Sequence, residues 1–63
     1  MKEIEFYFDW DNHKVIFSDG ITCNIDEDKN SFIYKNIEFT LESDVEKDLC
    51  YKFGGKYINT TNY

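Results

Sequence analysis

The stretch Glu3-Ile4-Glu5-Phe6-Tyr7-Phe8-Asp9-Trp10 decides the fold. Ile4, Phe6, Phe8 and Trp10 take the even positions, while Glu3, Glu5, Tyr7 and Asp9 take the odd ones. Successive side chains of a strand point to opposite faces, so this period of two buries one face and wets the other. Four more strand-like runs follow. The turns between them switch the parity wherever that keeps the apolar residues on one face.

Asp11-Asn12-His13-Lys14 carries turn-forming residues. It predicts a hairpin with Trp10 opposite Val15 and Phe8 opposite Phe17. In the second turn, a two-residue Asp19-Gly20 loop would pair Phe17 with Thr22 and split the apolar set. A three-residue loop, Ser18-Asp19-Gly20 with Gly20 left-handed, instead pairs Phe17 with Ile21 and Val15 with Cys23. A slip of one residue would invert the strand, so packing selects the longer loop. After the acidic loop Asp26-Glu27-Asp28-Lys29-Asn30, Lys35-Asn36 forms a two-residue turn. It sets Tyr34 opposite Ile37 and Phe32 opposite Phe39. The expected core face is Ile4, Phe6, Phe8, Trp10, Val15, Phe17, Ile21, Cys23, Ile25, Phe32, Tyr34, Ile37, Phe39 and Leu41.

The period then changes to that of a helix. Ser43-Asp44-Val45-Glu46 reads as a capping box with Ser43 as N-cap. Val45, Leu49 and Phe53 form an apolar stripe at four-residue spacing, and Gly54-Gly55 ends it. Residues 56–59 are a candidate last strand. The expected fold class is α+β, mainly β: a curved antiparallel meander of five to six strands under one helix at about 43–53, with residues 1–63 forming one small domain.

Composition narrows the partners. Thirteen acidic residues face seven lysines and no arginine, for a net charge of -6. That balance argues against direct contact with nucleic acid or an anionic membrane and favours basic protein partners. A chain this short buries only ~60% of its unfolded surface. Six Phe, five Tyr and one Trp supply bulk to the core, each aromatic side chain burying ~150–250 Å². The absence of Ala, Arg and Pro, with abundant Lys, Asn and Ile, fits an AT-rich coding sequence of a low-GC bacterium or its phage. Acidic residues interrupt the N-terminal stretch where a signal peptide is apolar. The expected location is therefore the cytoplasm, and Cys23 and Cys50 are expected as reduced thiols.

No motif for catalysis emerges. Asp26-x-Asp28-x-Asn30 opens like a calcium loop, but Ser31 and Ile37 stand where that loop needs Gly and Glu. Asp9, Asp11 and His13 read as a solvated turn, and Cys23 and Cys50 are isolated. Cys50 has only His13 as a possible base. The expectation is a non-enzyme with no metal and no cofactor.

The outer face is the candidate for binding. Tyr7, Ile16 and Ile33 sit among its polar residues, and two exposed aliphatic side chains there suggest a partner or homodimer surface. Glu3, Glu5, Asp9 and Asp11 alternate outward along the first strand, with carboxylates two residues apart separated by ~6.8 Å, an imitation of a phosphate row. Such charges on an edge strand would equally block sheet-to-sheet pairing. Glu42, Asp44, Glu46 and Asp48 form a second acidic zone, and Asp26–Asp28 a third. Shortness, acidity and aromatic content resemble, in general type, small phage-encoded inhibitors, a likeness that implies no residue roles. The expected function is a stoichiometric inhibitor from a phage or mobile element (anti-defence or anti-CRISPR in kind) that covers a basic, nucleic-acid-binding surface. A structural homodimer, or an immunity protein or antitoxin, is the alternative.

Overall fold

The described residues form six strands and one helix, in the order β1 (Glu3–Asp9), β2 (Lys14–Phe17), β3 (Thr22–Asp26), β4 (Ser31–Tyr34), β5 (Ile37–Thr40), α1 (Val45–Phe53) and β6 (Lys56–Asn59). The computed structural model describes residues 3–61. The strands form one curled sheet in the order β5-β4-β3-β2-β1-β6. The helix packs inside the curl, against β6 and the far edge strand β5. The class is α+β, mainly β, as the parity pattern implies.

The first five strands are the expected meander, and β6 joins it differently. It pairs parallel to β1, Ile4 opposite Tyr57, so the sheet is mixed and not wholly antiparallel. The helix makes this possible: β5 finishes at the end of the sheet where β1 also finishes, and the helix carries the chain back so that β6 starts beside the start of β1. Consequently β1 is an interior strand. Its carboxylates protect no sheet edge.

Two turns match their expected form. Val15 lies opposite Cys23, the Phe17 N–H donates to the Ile21 carbonyl at 2.9 Å, and Gly20 has φ 95°. Tyr34 lies opposite Ile37 and Phe32 opposite Phe39. Lys35 and Asn36 both take positive φ, 50° and 68°, as a two-residue turn matched to strand twist requires.

The first hairpin is two residues out of the expected register. Phe8 pairs with Val15 and Phe6 with Phe17, with Asp9 and Lys14 closing a four-residue loop. The Asp9 carboxylate accepts from the Asn12 N–H at 3.3 Å and from Asn12 Nδ2 at 2.9 Å. His13 completes the loop at φ 54°. A shift of two keeps every face, so the core survives while Trp10 leaves the strand. Trp10 is 44% exposed and Ile21, beside the second turn, 36%. Neither is the core residue its parity predicts.

The rest of the expected face is buried or packed against the core, joined by Val45, Leu49 and Tyr57. Phe17 of β2 and Tyr34 of β4 stack at 3.9 Å between ring centroids and 14° between planes. They meet across β3, whose core-facing residue there is the small Cys23. Both cysteines are unpaired thiols, Cys23 buried and Cys50 half-buried, and burial pushes the Cys23 thiol pKa up. Helix α1 begins one residue later than a Ser43 cap predicts. Asp44 is the N-cap, accepting from the Lys47 N–H at 3.2 Å. The Ser43 hydroxyl instead donates to the Asp48 carboxylate at 2.7 Å and lies 3.0 Å from the Thr40 carbonyl. Gly54, at φ 69°, caps the other end.

Candidate functional site

In an antiparallel meander every second connection emerges at the same end. The loop after β1, the loop after β3 and the segment after β5 therefore share one end of the sheet. Contacts tie them together: the Ile25 N–H donates to the His13 carbonyl at 2.8 Å and the Leu41 N–H to the Asn30 carbonyl at 2.8 Å. His13 and Glu27 pair at 2.9 Å. The helix starts at this end as well, and β6 finishes there.

This topology collects what the sequence presents as separate acidic zones. Asp9, Asp11, Asp26, Glu27, Asp28, Glu42, Asp44, Glu46 and Asp48 lie at this end with Lys14, Lys29 and Lys47. Nine carboxylates against three lysines give a formal charge of -6, equal to that of the whole chain. Five of these carboxylates also hold the fold. Asp9 closes the first hairpin, and its bond from the Asn12 side chain holds its carboxyl below the usual range. Asp26 accepts from the N–H groups of Asp28 and Lys29, at 3.0 and 3.3 Å, which makes the calcium-like stretch an acidic turn. Asp44 caps the helix, Asp48 accepts from Ser43, and Glu46 accepts from the Asn59 N–H at 2.7 Å. Among the described residues, Asp11, Asp28 and Glu42 have no side-chain partner.

The strand-one row is divided. Glu3 lies at the opposite end, 3.8 Å from Lys56. Glu5 is exposed in mid-strand, and only Asp9 and Asp11 belong to the acidic end. The aliphatic pair is divided too. Ile16 is half-buried opposite Tyr7, and these two share a shallow depression with Glu5, Ser18 and Thr60. Ile33, 61% exposed, sits in another with Asn24, Asp26 and Glu38. Strand β3 lies between them, so Tyr7, Ile16 and Ile33 form no continuous apolar patch.

Trp10 is the site residue that parity conceals. Its ring stacks on Phe8 at 5.0 Å and 17°, and it walls a cleft of about 300 Å³ at the acidic end. Asp9 followed by Asn12 was the available signal, since an Asp that caps its own turn ends the strand before Trp10. Tyr51, on the helix and 83% exposed, is a second aromatic outside the expected site.

Among the described residues, no three His, Cys, Asp or Glu side chains gather as a metal-binding group, and no helix is long and apolar enough to cross a membrane. No known protein family matches this chain, and no curated protein or solved structure shows significant similarity to it.

Proposed function

We propose that this protein is a binding module that docks its acidic end on a basic surface of another protein. The observation that supports this reading is the gathering of nine carboxylates and only three lysines at one end of the sheet. Several kT of potential over one patch steers a complementary partner and speeds association. A surface of Lys and Arg that binds nucleic acid is such a partner. Carboxylates then take the place of phosphates, and the protein acts as a stoichiometric inhibitor. A phage or mobile element is the origin this suits, and a host-cell cytoplasm is the place of action.

The test is capture of the partner from a bacterial lysate on the immobilised full chain, followed by displacement with DNA or RNA. Asp11→Asn/Asp28→Asn/Glu42→Gln removes charge from side chains without structural partners, so the fold survives. We expect it to weaken binding at least tenfold, while Glu3→Gln/Glu5→Gln, away from the acidic end, changes it little. Undiminished binding of the first variant at low salt sinks the reading. An obligate dimer whose contact covers Ile33 would favour the assembly role.

A further inference from the structure

We propose that the cleft beside Trp10 receives one arginine side chain of the partner, an inference that rests on the acidic-end reading above and names its anchor. The cleft holds about 300 Å³, at the small end of ligand-sized cavities of ~300–1,000 Å³. A single long side chain suits it better than a metabolite. Phe8, Trp10, Leu41 and Val45 form apolar walls, and Asp44 and Glu46 supply carboxylates. Among the described residues, none that line it is cationic.

The two kinds of wall together select an amphipathic cation. An aliphatic stem is accommodated by Leu41 and Val45. A cationic head is accommodated by the indole and the carboxylates, because a cation is drawn to the face of an aromatic ring, tryptophan above all. One face of Trp10 stacks on Phe8, while the residue as a whole stays 44% exposed. Each carboxylate spends one oxygen on the fold, Asp44 on the Lys47 N–H and Glu46 on the Asn59 N–H. Among the described residues, the second oxygen of each has no partner. These charges outweigh the partial positive charge of the helix N-terminus, whose Lys47 N–H is already capped by Asp44.

The protein already contains such an arrangement at its other end. Lys35 Nζ lies 5.3 Å from the Tyr34 ring centroid, 5.5 Å from that of Phe53 and 3.9 Å from the Asp19 carboxylate. There the chain supplies its own cation to a pocket of aromatic and carboxylate. At Trp10 the aromatic and the carboxylates are present, and no lysine among the described residues lies over the ring. Arginine fits better than lysine, since its planar fork both stacks on the indole and donates to two carboxylates at once.

Trp10 is the chain's one tryptophan, so its fluorescence reports on the cleft alone. The full-length protein is titrated with capped Gly-Arg-Gly, Gly-Lys-Gly and Gly-citrulline-Gly peptides. We expect a saturating change with the arginine peptide, at least threefold weaker binding of the lysine peptide and no saturation with citrulline. Asp44→Asn/Glu46→Gln keeps an N-cap and an acceptor for Asn59, and is expected to bind arginine at least fivefold more weakly with unchanged circular dichroism. Trp10→Leu, followed by calorimetry, is expected to abolish binding. An equal response to citrulline, an unsaturable response to arginine, or undiminished affinity in the double variant overturns the proposal. Failure here, with partner binding still lost in the Asp11/Asp28/Glu42 variant, removes the arginine site and leaves acidic-end docking intact. Arginine binding at Trp10 with partner binding insensitive to those charges supports the site and removes the docking reading.

Discussion

The carboxylate of Glu46 accepts a 2.7 Å hydrogen bond from the main-chain N–H of Asn59, which ties helix α1 to the outer edge of β6. One turn along the helix, Cys50 Sγ accepts from the Tyr57 N–H at 3.3 Å. The match is geometric. Four helical residues rise ~6.0 Å, and two strand residues rise ~6.6 Å, so side chains at 46 and 50 face main-chain groups at 59 and 57. An edge strand otherwise presents unpaired N–H groups to any passing strand. Here the helix covers them.

The first prediction isolates that seal. Glu46→Ala leaves the Asn59 N–H without its acceptor and should cost about 1 kcal/mol. Glu46→Gln keeps an acceptor oxygen and should cost less than half as much. Urea unfolding of both variants measures the difference, and equal midpoints would mean that the bond contributes nothing.

A second prediction concerns the assigned faces. Phe39 is 3% exposed and stacks on Phe32 at 5.6 Å, whereas its neighbour Thr40 is exposed. Phe39→Ala should cost about 3–5 kcal/mol, and Thr40→Ala under about 1 kcal/mol. Thermal melts of the pair suffice, and coincident melting temperatures would contradict the parity of β5.

The third prediction is a pH dependence carried by Tyr34. Its side chain is fully buried and its hydroxyl donates to the Asp19 carboxylate. Burial first, and the neighbouring carboxylate second, push its pKa far above the usual range. An acid weakened by folding contributes stability that is fully present below its unfolded pKa, near 10, and is lost as pH rises above it. The loss is about 1.4 kcal/mol per pH unit. Tyr34→Phe cannot ionise there, so the advantage of the natural protein over this variant should shrink steadily above pH ~10. The other tyrosines and the lysines are common to both chains and cancel. A constant difference between pH 8 and 11 would show that Tyr34 ionises within the fold.

Particular residues explain how much of this was legible in the sequence. Parity placed Phe6, Phe17, Phe32 and Phe39 correctly, because burying one face leaves a strand few alternatives. The same parity misplaced Trp10 and Ile21. It is blind to a shift of two, and only the Asp9 turn settles where the strand stops. Position in sequence ranked Glu3 with Asp9, although a strand carries them to opposite ends of the sheet. The acidic end itself was recoverable from the expected meander, since alternate turns must coincide. The cleft beside Trp10 was not, because it needs the helix start, the end of β1 and the end of β6 brought together.

The last prediction asks whether the acidic end is held at a cost to the fold. The connections after β1, β3 and β5 are spread over four strand spacings of the sheet, about 19 Å at ~4.8 Å per strand. At 0.01 M salt the screening length is ~30 Å, and all nine carboxylates repel. At 1 M it is ~3 Å, and only direct neighbours do. Self-repulsion of this kind destabilises a compact state. Asp11→Asn/Asp28→Asn/Glu42→Gln should therefore melt several degrees above the natural protein at 0.01 M NaCl, and the gap should close by 1 M. Glu3→Gln should show the reverse sign or no effect, since its neighbour is Lys56. Melting curves of the three chains across that salt range decide the matter. A triple variant no more stable than the natural protein at low salt would mean that the carboxylates are too well solvated to repel. The field that the docking reading requires would then be absent as well. A low-salt gain confined to the triple variant would identify charge kept in place against its own repulsion, as expected of a surface held for a partner.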